Sequence, residues 1–298
     1  MLVYFIITGD EYIETSSLFK FKSPDFAYKY NQNYNFAYAA YQIGEDSNLL
    51  RGNLPLQTRG GLILIRDRDA PFINQPDILS LSILRECGRR GCTGVILDFE
   101  NPPRDDLYAL INQLSRQLYN SGKKLYIPYA YANPAPDNAI IFINTAISGG
   151  NFREYLSEQI NQIAQIQEIN PINQKFNQDL NHKSNHAKNP EKYSFALDIQ
   201  RLRVDFQLPA PSGDGRNLNP DEFKNLSDGK AVFFSPDLCA RYFTFTERNP
   251  DKTNAAHFVL FDDADTINIK LKIGAELGFN AAFLLWSEIR DFVQDLRW

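Results

Sequence analysis

Eight short apolar runs, rich in β-branched and aromatic residues, recur along the chain: Leu2–Thr8, Phe36–Ile43, Gly61–Asp67, Gly94–Glu100, Lys124–Tyr131, Ala139–Ile147, Tyr193–Ile199 and Ala281–Trp286. Most are near-continuous rather than alternating, the pattern of parallel strands covered on both faces. Helical patterns lie between them. Asp106–Asn120 sets Leu107, Leu110, Ile111, Leu114 and Leu118 on one face and closes at Gly122. Asn151 with Glu154 makes a capping-box-like start for a helix carrying Phe152, Tyr155, Leu156, Ile160 and Ile163. Thr266–Leu277 is a third helix, stopped by Gly278. Eight strands, most followed by a helix, predict an α/β fold, a (β/α)8 TIM barrel, which typically takes about 250 residues.

The chain has 298 residues, and the surplus has two places to go. Asn170–Lys192 is rich in Asn, Lys and Gln and reads as a long polar loop. Asp205–Asp263 contains AVFFSP, ARYFTFTER and HFVLFDD, which read as strands of a small antiparallel insertion. The expected organisation is one barrel domain over 1–298 with an insertion subdomain at about 205–263, between strands seven and eight. An open doubly wound sheet is the competing fold. No Gly-rich dinucleotide fingerprint follows the early strands, which counts against it.

Composition removes several classes of function. A net charge of −5 with no basic stripe does not fit a nucleic-acid binder. No run of 18 apolar residues offers a membrane-spanning helix. The start, MLVYFIITGDEY, lacks a basic region and reaches Asp10 at once, so it reads as a strand, with cytoplasmic residence the plain expectation. Cys87, Cys92 and Cys239 form neither a disulfide framework nor a CxxC pair. His182, His186 and His257 are too scattered for a standard zinc site, so no metal and no organic cofactor is expected.

The stretch TGVILDFENPP, residues 93–103, ends a buried-looking strand in two acids. Side chains alternate along a strand, so Ile96, Asp98 and Glu100 share a face, each pair about 6.6 Å apart at roughly 3.3 Å per residue. In a barrel that face points inward and ends at the C-terminal mouth, where active sites of such barrels sit. Two poorly solvated acids repel, so one pKa rises and supplies a general acid near neutral pH. Glu100, the outer residue, is the better candidate for that role, and Asp98 for holding a substrate group. A loop salt bridge or a helix cap would use the same residues.

With those residues in hand, GVILDFENPP resembles the fourth-strand signature of family 18 glycoside hydrolases, the chitinase-like barrels, Asp-Gly-x-Asp-x-Asp-x-Glu, and in particular the spore-germination and peptidoglycan-acting branch, which often ends it Asp-Phe-Glu-Asn. FVLFDDADTINIKLKIGAELGFNAAFLLW is similar to that family's last segment. The family also places a small α+β subdomain between strands seven and eight. The resemblance implies a retaining, substrate-assisted hydrolysis with no protein nucleophile. Glu100 would be the acid/base, Asp98 would orient the acetamido group, and Trp286 would be the aromatic floor under the sugar. No cofactor is implied, and the partner is an N-acetylated glycan.

The sequence departs from the family pattern at several positions. Thr93 and Ile96 stand where the signature has its first two Asp. The sixth-strand Tyr that holds the acetamido group is absent, and IIFINTAISGG puts Asn144 or Thr145 near its position. Tyr129 and Tyr131, at the end of the fifth strand, could supply a substitute hydroxyl or simply pack at the rim. Arg66, Asp67, Arg68 and Asp69 on one side, and Asp198, Arg201, Arg203 and Asp205 on another, could also line the mouth. Asp262 and Asp263 read as structural and capping groups.

Two functions follow. One is a glycosidase acting on N-acetylglucosamine-containing glycans of peptidoglycan or chitin type, with a cell envelope or spore setting implied by the resemblance alone. The other is a catalytically impaired barrel that binds a carbohydrate or a protein. An ion pair between Glu100 and an arginine, in place of an open cleft, would favour the second.

Overall fold

The computed structural model describes residues 1–8, 35–52, 60–68, 70, 72–169, 194–209, 214–248 and 254–297. The polar stretch Asn170–Lys192 lies outside them. Fourteen strands are present among the described residues: β1 (Leu2–Thr8), β2 (Asn35–Ile43), β3 (Leu49–Arg51), β4 (Leu62–Arg66), β5 (Gly94–Asp98), β6 (Lys124–Pro128), β7 (Ala139–Asn144), β8 (Ser194–Ile199), β9 (Arg203–Leu208), β10 (Arg216–Asn217), β11 (Phe233–Ser235), β12 (Ala240–Arg248), β13 (Asn254–Phe261) and β14 (Ala281–Leu285). The helices are α1 (Pro76–Arg89), α2 (Asp105–Asn120), α3 (Phe152–Ile169), α4 (Pro220–Ser227), α5 (Ala264–Glu276) and α6 (Trp286–Ile289). Among the described residues, no helix is long and apolar enough to cross a membrane.

Eight strands run parallel in the order β1, β2, β4, β5, β6, β7, β8, β14, and β14 pairs with β1 to close the ring. This is the expected (β/α)8 barrel. Its interior holds Tyr4, Ala37, Leu62, Leu64, Ile96, Tyr126, Ile140, Ala196, Ala281 and Phe283. Three of these are alanines, and the space they leave admits the rings of Tyr4, Tyr126 and Phe283. The Tyr126 and Phe283 rings meet edge to face at 5.1 Å. The opposite face of each strand packs on the helices. In α2 the five leucine and isoleucine positions expected on one face are all buried, each worth about 1.5–3 kcal/mol relative to exposure. Gly94 opens β5 where a Cβ would stand 2.4 Å from the Lys124 carbonyl oxygen, so β5 and β6 approach closely only because glycine is there.

The strands end earlier than their apolar runs. β5 stops at Asp98, β6 stops at Pro128 and passes into a 3-10 turn at Tyr129–Tyr131, β7 stops at Asn144 and β14 at Leu285. Pro128 has no N–H to carry the ladder further. Several elements were not read from the sequence, among them β3, α1 and, in the insertion, β10 and α4. β3 is a three-residue antiparallel partner of β2. In α1 the buried apolar set is only Leu79, Ile83 and Cys87, a stripe too narrow to announce itself.

The insertion is a five-stranded antiparallel sheet, β10-β9-β13-β12-β11, with α4. One face buries Phe243, Val259 and Phe261 beneath Phe223 and Leu226 of α4. The other carries Leu202, Phe206 and Leu260 and turns toward the barrel mouth. Its two ends are tied together at Asp262. The Asp262 carboxylate accepts the Leu202 N–H at 3.0 Å, the Thr266 hydroxyl at 2.9 Å and Lys270 Nζ at 2.7 and 2.8 Å. Asp263 caps α5 in a reciprocal capping box with Thr266. Both residues are therefore structural, as their sequence context indicated.

Candidate active site

The C-terminal ends of the barrel strands surround a cavity of about 600 Å³. Its floor is apolar, from Ile6, Leu64, Ile96, Phe142 and Phe283, and one wall is the insertion face with Val204, Phe206 and Leu260. Arg66, Asp98, Asp198, Arg201, Arg203 and Glu288 bring charge to this apolar setting.

Register explains the first charged pair. β4 and β5 run parallel with Arg66 opposite Asp98. Arg66 Nε donates to Asp98 Oδ2 at 3.0 Å. Two residues further on the same relation repeats outside the strands, and Arg68 pairs with Glu100 at 2.7 Å. The sequences RDRD and DFE thus form a two-rung arginine–carboxylate ladder. Glu100 is not at a strand end facing the cavity. It stands on the rim in the loop after β5, with 46% of its side chain exposed and that of Arg68 58% exposed. Asp67, fully buried between the two arginines, fixes this loop. Its Oδ1 accepts the Glu100 N–H at 2.8 Å, and its carbonyl oxygen accepts Asn101 Nδ2 at 2.8 Å. Asp69 lies outside the described residues.

Asp198 sits opposite, at the end of β8. Its Oδ2 accepts Asn144 Nδ2 at 3.3 Å and Gln200 Nε2 at 3.4 Å, both near the long limit for a hydrogen bond. Burial pushes its pKa up to about 7, the negative charges of Asp98 and Glu288 push the same way, and only the Gln200 contact opposes. Glu288, at the start of α6, is also raised by burial, against the Arg201 N–H at 3.2 Å and the charges of Arg203 and Arg201. Burial lowers Arg203 in turn. The carboxyl of the mouth pushed up toward neutrality is thus Asp198, a residue the strand-end reading of LDFE did not single out for that role.

The remaining candidates divide. Asn144 is at the mouth, bonded to Asp198 and, through its Oδ1, to the Ala146 N–H at 2.7 Å. Tyr129 turns to α3, where its hydroxyl donates to Gln162 Oε1 at 2.7 Å. Tyr131 is fully buried, donates to the Asn101 carbonyl oxygen at 2.7 Å and packs edge-on against Phe99 and Tyr108. The 3-10 turn breaks the strand alternation that would have aimed either hydroxyl inward. Trp286 is also elsewhere. Phe283 and Leu285 line the cavity, so the next residue points away from it. Trp286 is 8% exposed and meets Phe5 and Phe36 edge to face at 5.8 and 6.1 Å in the outer core. Asp205 likewise leaves the mouth and pairs with His257 Nδ1 at 3.0 Å inside the insertion.

The structure therefore places Asp98 and Asp198 in the cavity lining, joins Asn144 to it through Asp198, sets Glu100 in the loop just beyond Asp98, and leaves out Tyr129, Tyr131 and Trp286. Sequence reading missed Glu288, since nothing in WSEIRD marks it as a residue of the mouth. It named Arg66 and Arg68 without their partners. The shared two-residue spacing of RDRD and DFE on neighbouring strands was the available signal.

No protein family model and no curated protein matches the chain. Solved structures do. The spore cortex-lytic enzyme SleL of Bacillus megaterium superposes with a TM-score of 0.57 at 14% identity, over 99% of this chain and 74% of that one. A chitinase from Chromobacterium violaceum gives 0.59 at 12% identity, over 95% and 93%. A family 18 chitinase from Cycas revoluta, solved with allosamidin, gives 0.59 at 12% identity, over 99% and 98%. At such low identity these likenesses concern the fold alone: the chain shares the (β/α)8 barrel fold of these solved structures.

Proposed function

We propose that the protein is a glycoside hydrolase acting on N-acetylglucosamine-containing glycans of chitin or peptidoglycan type. The observation that supports this reading is Asp98 at the C-terminal end of the fourth barrel strand, lining a cavity of about 600 Å³, with Glu100 two residues beyond it in the following loop. In the substrate-assisted route, the acetamido carbonyl oxygen attacks the anomeric carbon as the glycosidic bond breaks. Glu100 gives its proton to the leaving oxygen and then takes one from the water that opens the oxazolinium ion. Asp98, held by Arg66, accepts the acetamido N–H. Glu100 must part from Arg68 to carry a proton. An exposed pair of this kind is worth only about 0–1 kcal/mol, so a bound glycan can displace it.

The test is hydrolysis of a fluorogenic N-acetylglucosamine oligomer by the wild type and by Glu100→Gln across pH. Turnover lost in the variant supports the assignment. A second reading, a binding barrel without turnover, draws on the Arg68–Glu100 pair and on Trp286 packing away from the cavity. It predicts oligomer binding with no hydrolysis by either protein.

A further inference from the structure

The proposed reaction leaves one group unaccounted for. An acetamido group presents one N–H and one carbonyl oxygen, and Asp98 can receive only the first. The family's hydroxyl for the second is missing, and neither Tyr129 nor Tyr131 reaches the mouth. The cavity holds a different candidate. Asp198 stands directly across from Asn144 in the β7–β8 register, next to the strand that lacks the tyrosine. Both of its hydrogen bonds are long and fall on Oδ2, so Oδ1 has no partner among the described residues. Of the cavity's arginines, Arg66 is engaged by Asp98 and Arg201 by Asp291, both at 3.0 Å. Resting on the functional reading above, we propose that Asp198 replaces the missing hydroxyl, donating its carboxyl O–H to the acetamido carbonyl oxygen of a bound sugar while Asp98 accepts the amide N–H.

A neutral carboxylic acid kept in an apolar site as a hydrogen-bond donor is established chemistry. Here the groups facing Asp198 are Asp98 on β5, Glu288 on α6, Asn144 on β7 and Gln200 just beyond β8, while Arg203, which also lines the cavity, interacts with Glu288 and Asp291. Burial together with the two acids leaves Asp198 titrating at about 7. One carboxylate acceptor and one acid donor in the same cavity then match the two ends of an amide. A sugar without an acetamido group has no carbonyl oxygen for the acid to reach.

The experiment uses Glu100→Gln protein, so that ligand survives, and measures calorimetric affinity for the N-acetylglucosamine tetramer and for the glucose tetramer from pH 5 to 9. Affinity for the acetylated tetramer is expected to hold below pH 6 and to fall above pH 7, approaching about tenfold per pH unit as the donor is lost. In Glu100→Gln/Asp198→Asn the side-chain amide donates at every pH, so the profile becomes flat and exceeds the parent at pH 9. In Glu100→Gln/Asp198→Ala it is flat and weak. The acetylated tetramer bound with the same flat profile in the parent and both variants overturns the inference while the functional reading stands. No binding and no hydrolysis of acetylated glycans at any pH overturns both. Should the substitutions unfold the protein, carbon-13 titration of Asp198 in the parent decides. Saturating acetylated tetramer is expected to raise its pKa, and an unmoved pKa overturns the inference.

Discussion

Lys270–Asp262 and Arg66–Asp98 are cation–carboxylate pairs of similar length, 2.7 and 3.0 Å, in the same barrel. Lys270 and Asp262 have no exposed side-chain surface, and Asp262 is saturated by the Leu202 N–H and the Thr266 hydroxyl besides the ammonium. Arg66 and Asp98 are about one third exposed, and Asp98 accepts one hydrogen bond among the described residues. The first pair ties the insertion to the barrel. The second leaves lone pairs directed at a cavity. Spare hydrogen-bonding capacity at a concave surface, more than charge itself, separates a pair that holds the fold from one that can hold a ligand.

Removing one partner of each pair tests that distinction most sharply. Lys270→Met leaves a fully buried carboxylate without its counter-ion, and such losses cost about 3–5 kcal/mol. Arg66→Met leaves a carboxylate that water can reach, with an expected loss below about 1 kcal/mol. Urea denaturation of the two variants reads the difference directly, and equal losses would break the comparison.

Asp67 falls between the two cases, being fully buried yet devoted to the rim. Asp67→Ala deprives the Glu100 N–H of its acceptor and the loop of its anchor, an expected loss of about 2–3 kcal/mol. Because this loop positions Glu100, turnover should fall as well, with kcat changing more than KM. Unchanged kinetics in a folded variant would mean that the loop does not position the acid.

The barrel itself could be read from the chain because its strands are buried on both faces, and near-continuous apolar runs report that directly. The site was only partly legible, because its contents depend on parity and on where each strand stops. Asp98, Asn144 and Asp198 keep the inward parity of residues 96, 142 and 196, and all three reach the mouth. Trp286 follows inward-facing Leu285 and is therefore outward. Tyr129 and Tyr131 follow Pro128, which ends the strand and with it the alternation. The pairing of Glu100 with Arg68 needed the β4–β5 register, which a single sequence does not contain.

A pH-dependent effect bears on the contrast between Asp198 and Asp262. Asp198 lies in a partly buried mouth with no ion-pair partner among the described residues, and its folded pKa of about 7 is above the ordinary carboxyl range. An acid raised in this way stabilises the fold fully below its unfolded value of about 4, and that contribution is lost as pH rises through 7. Asp198→Asn removes the titration. Relative to the wild type it should gain about 3–4 kcal/mol between pH 4 and pH 8. Denaturation at the two pH values checks the sign, and a gap that closes with rising pH would place Asp198 in an environment that favours its charge.

The smallest expected effect belongs to Arg68. More than half of its side chain is exposed, and its partner Glu100 remains accessible to water when the guanidinium is removed. Arg68→Ala should therefore change stability by less than about 0.5–1 kcal/mol. Its catalytic consequence has a definite direction. Glu100 must part from Arg68 before it can meet a glycan, so removing the guanidinium should leave turnover at or above the wild-type rate, whereas Arg66→Ala releases the Asp98 carboxylate that holds the acetamido N–H and should lower it. Steady-state kinetics of the two variants check the contrast. If both change turnover equally, the two rungs of the ladder act as one unit, and the division of labour between Asp98 and Glu100 fails.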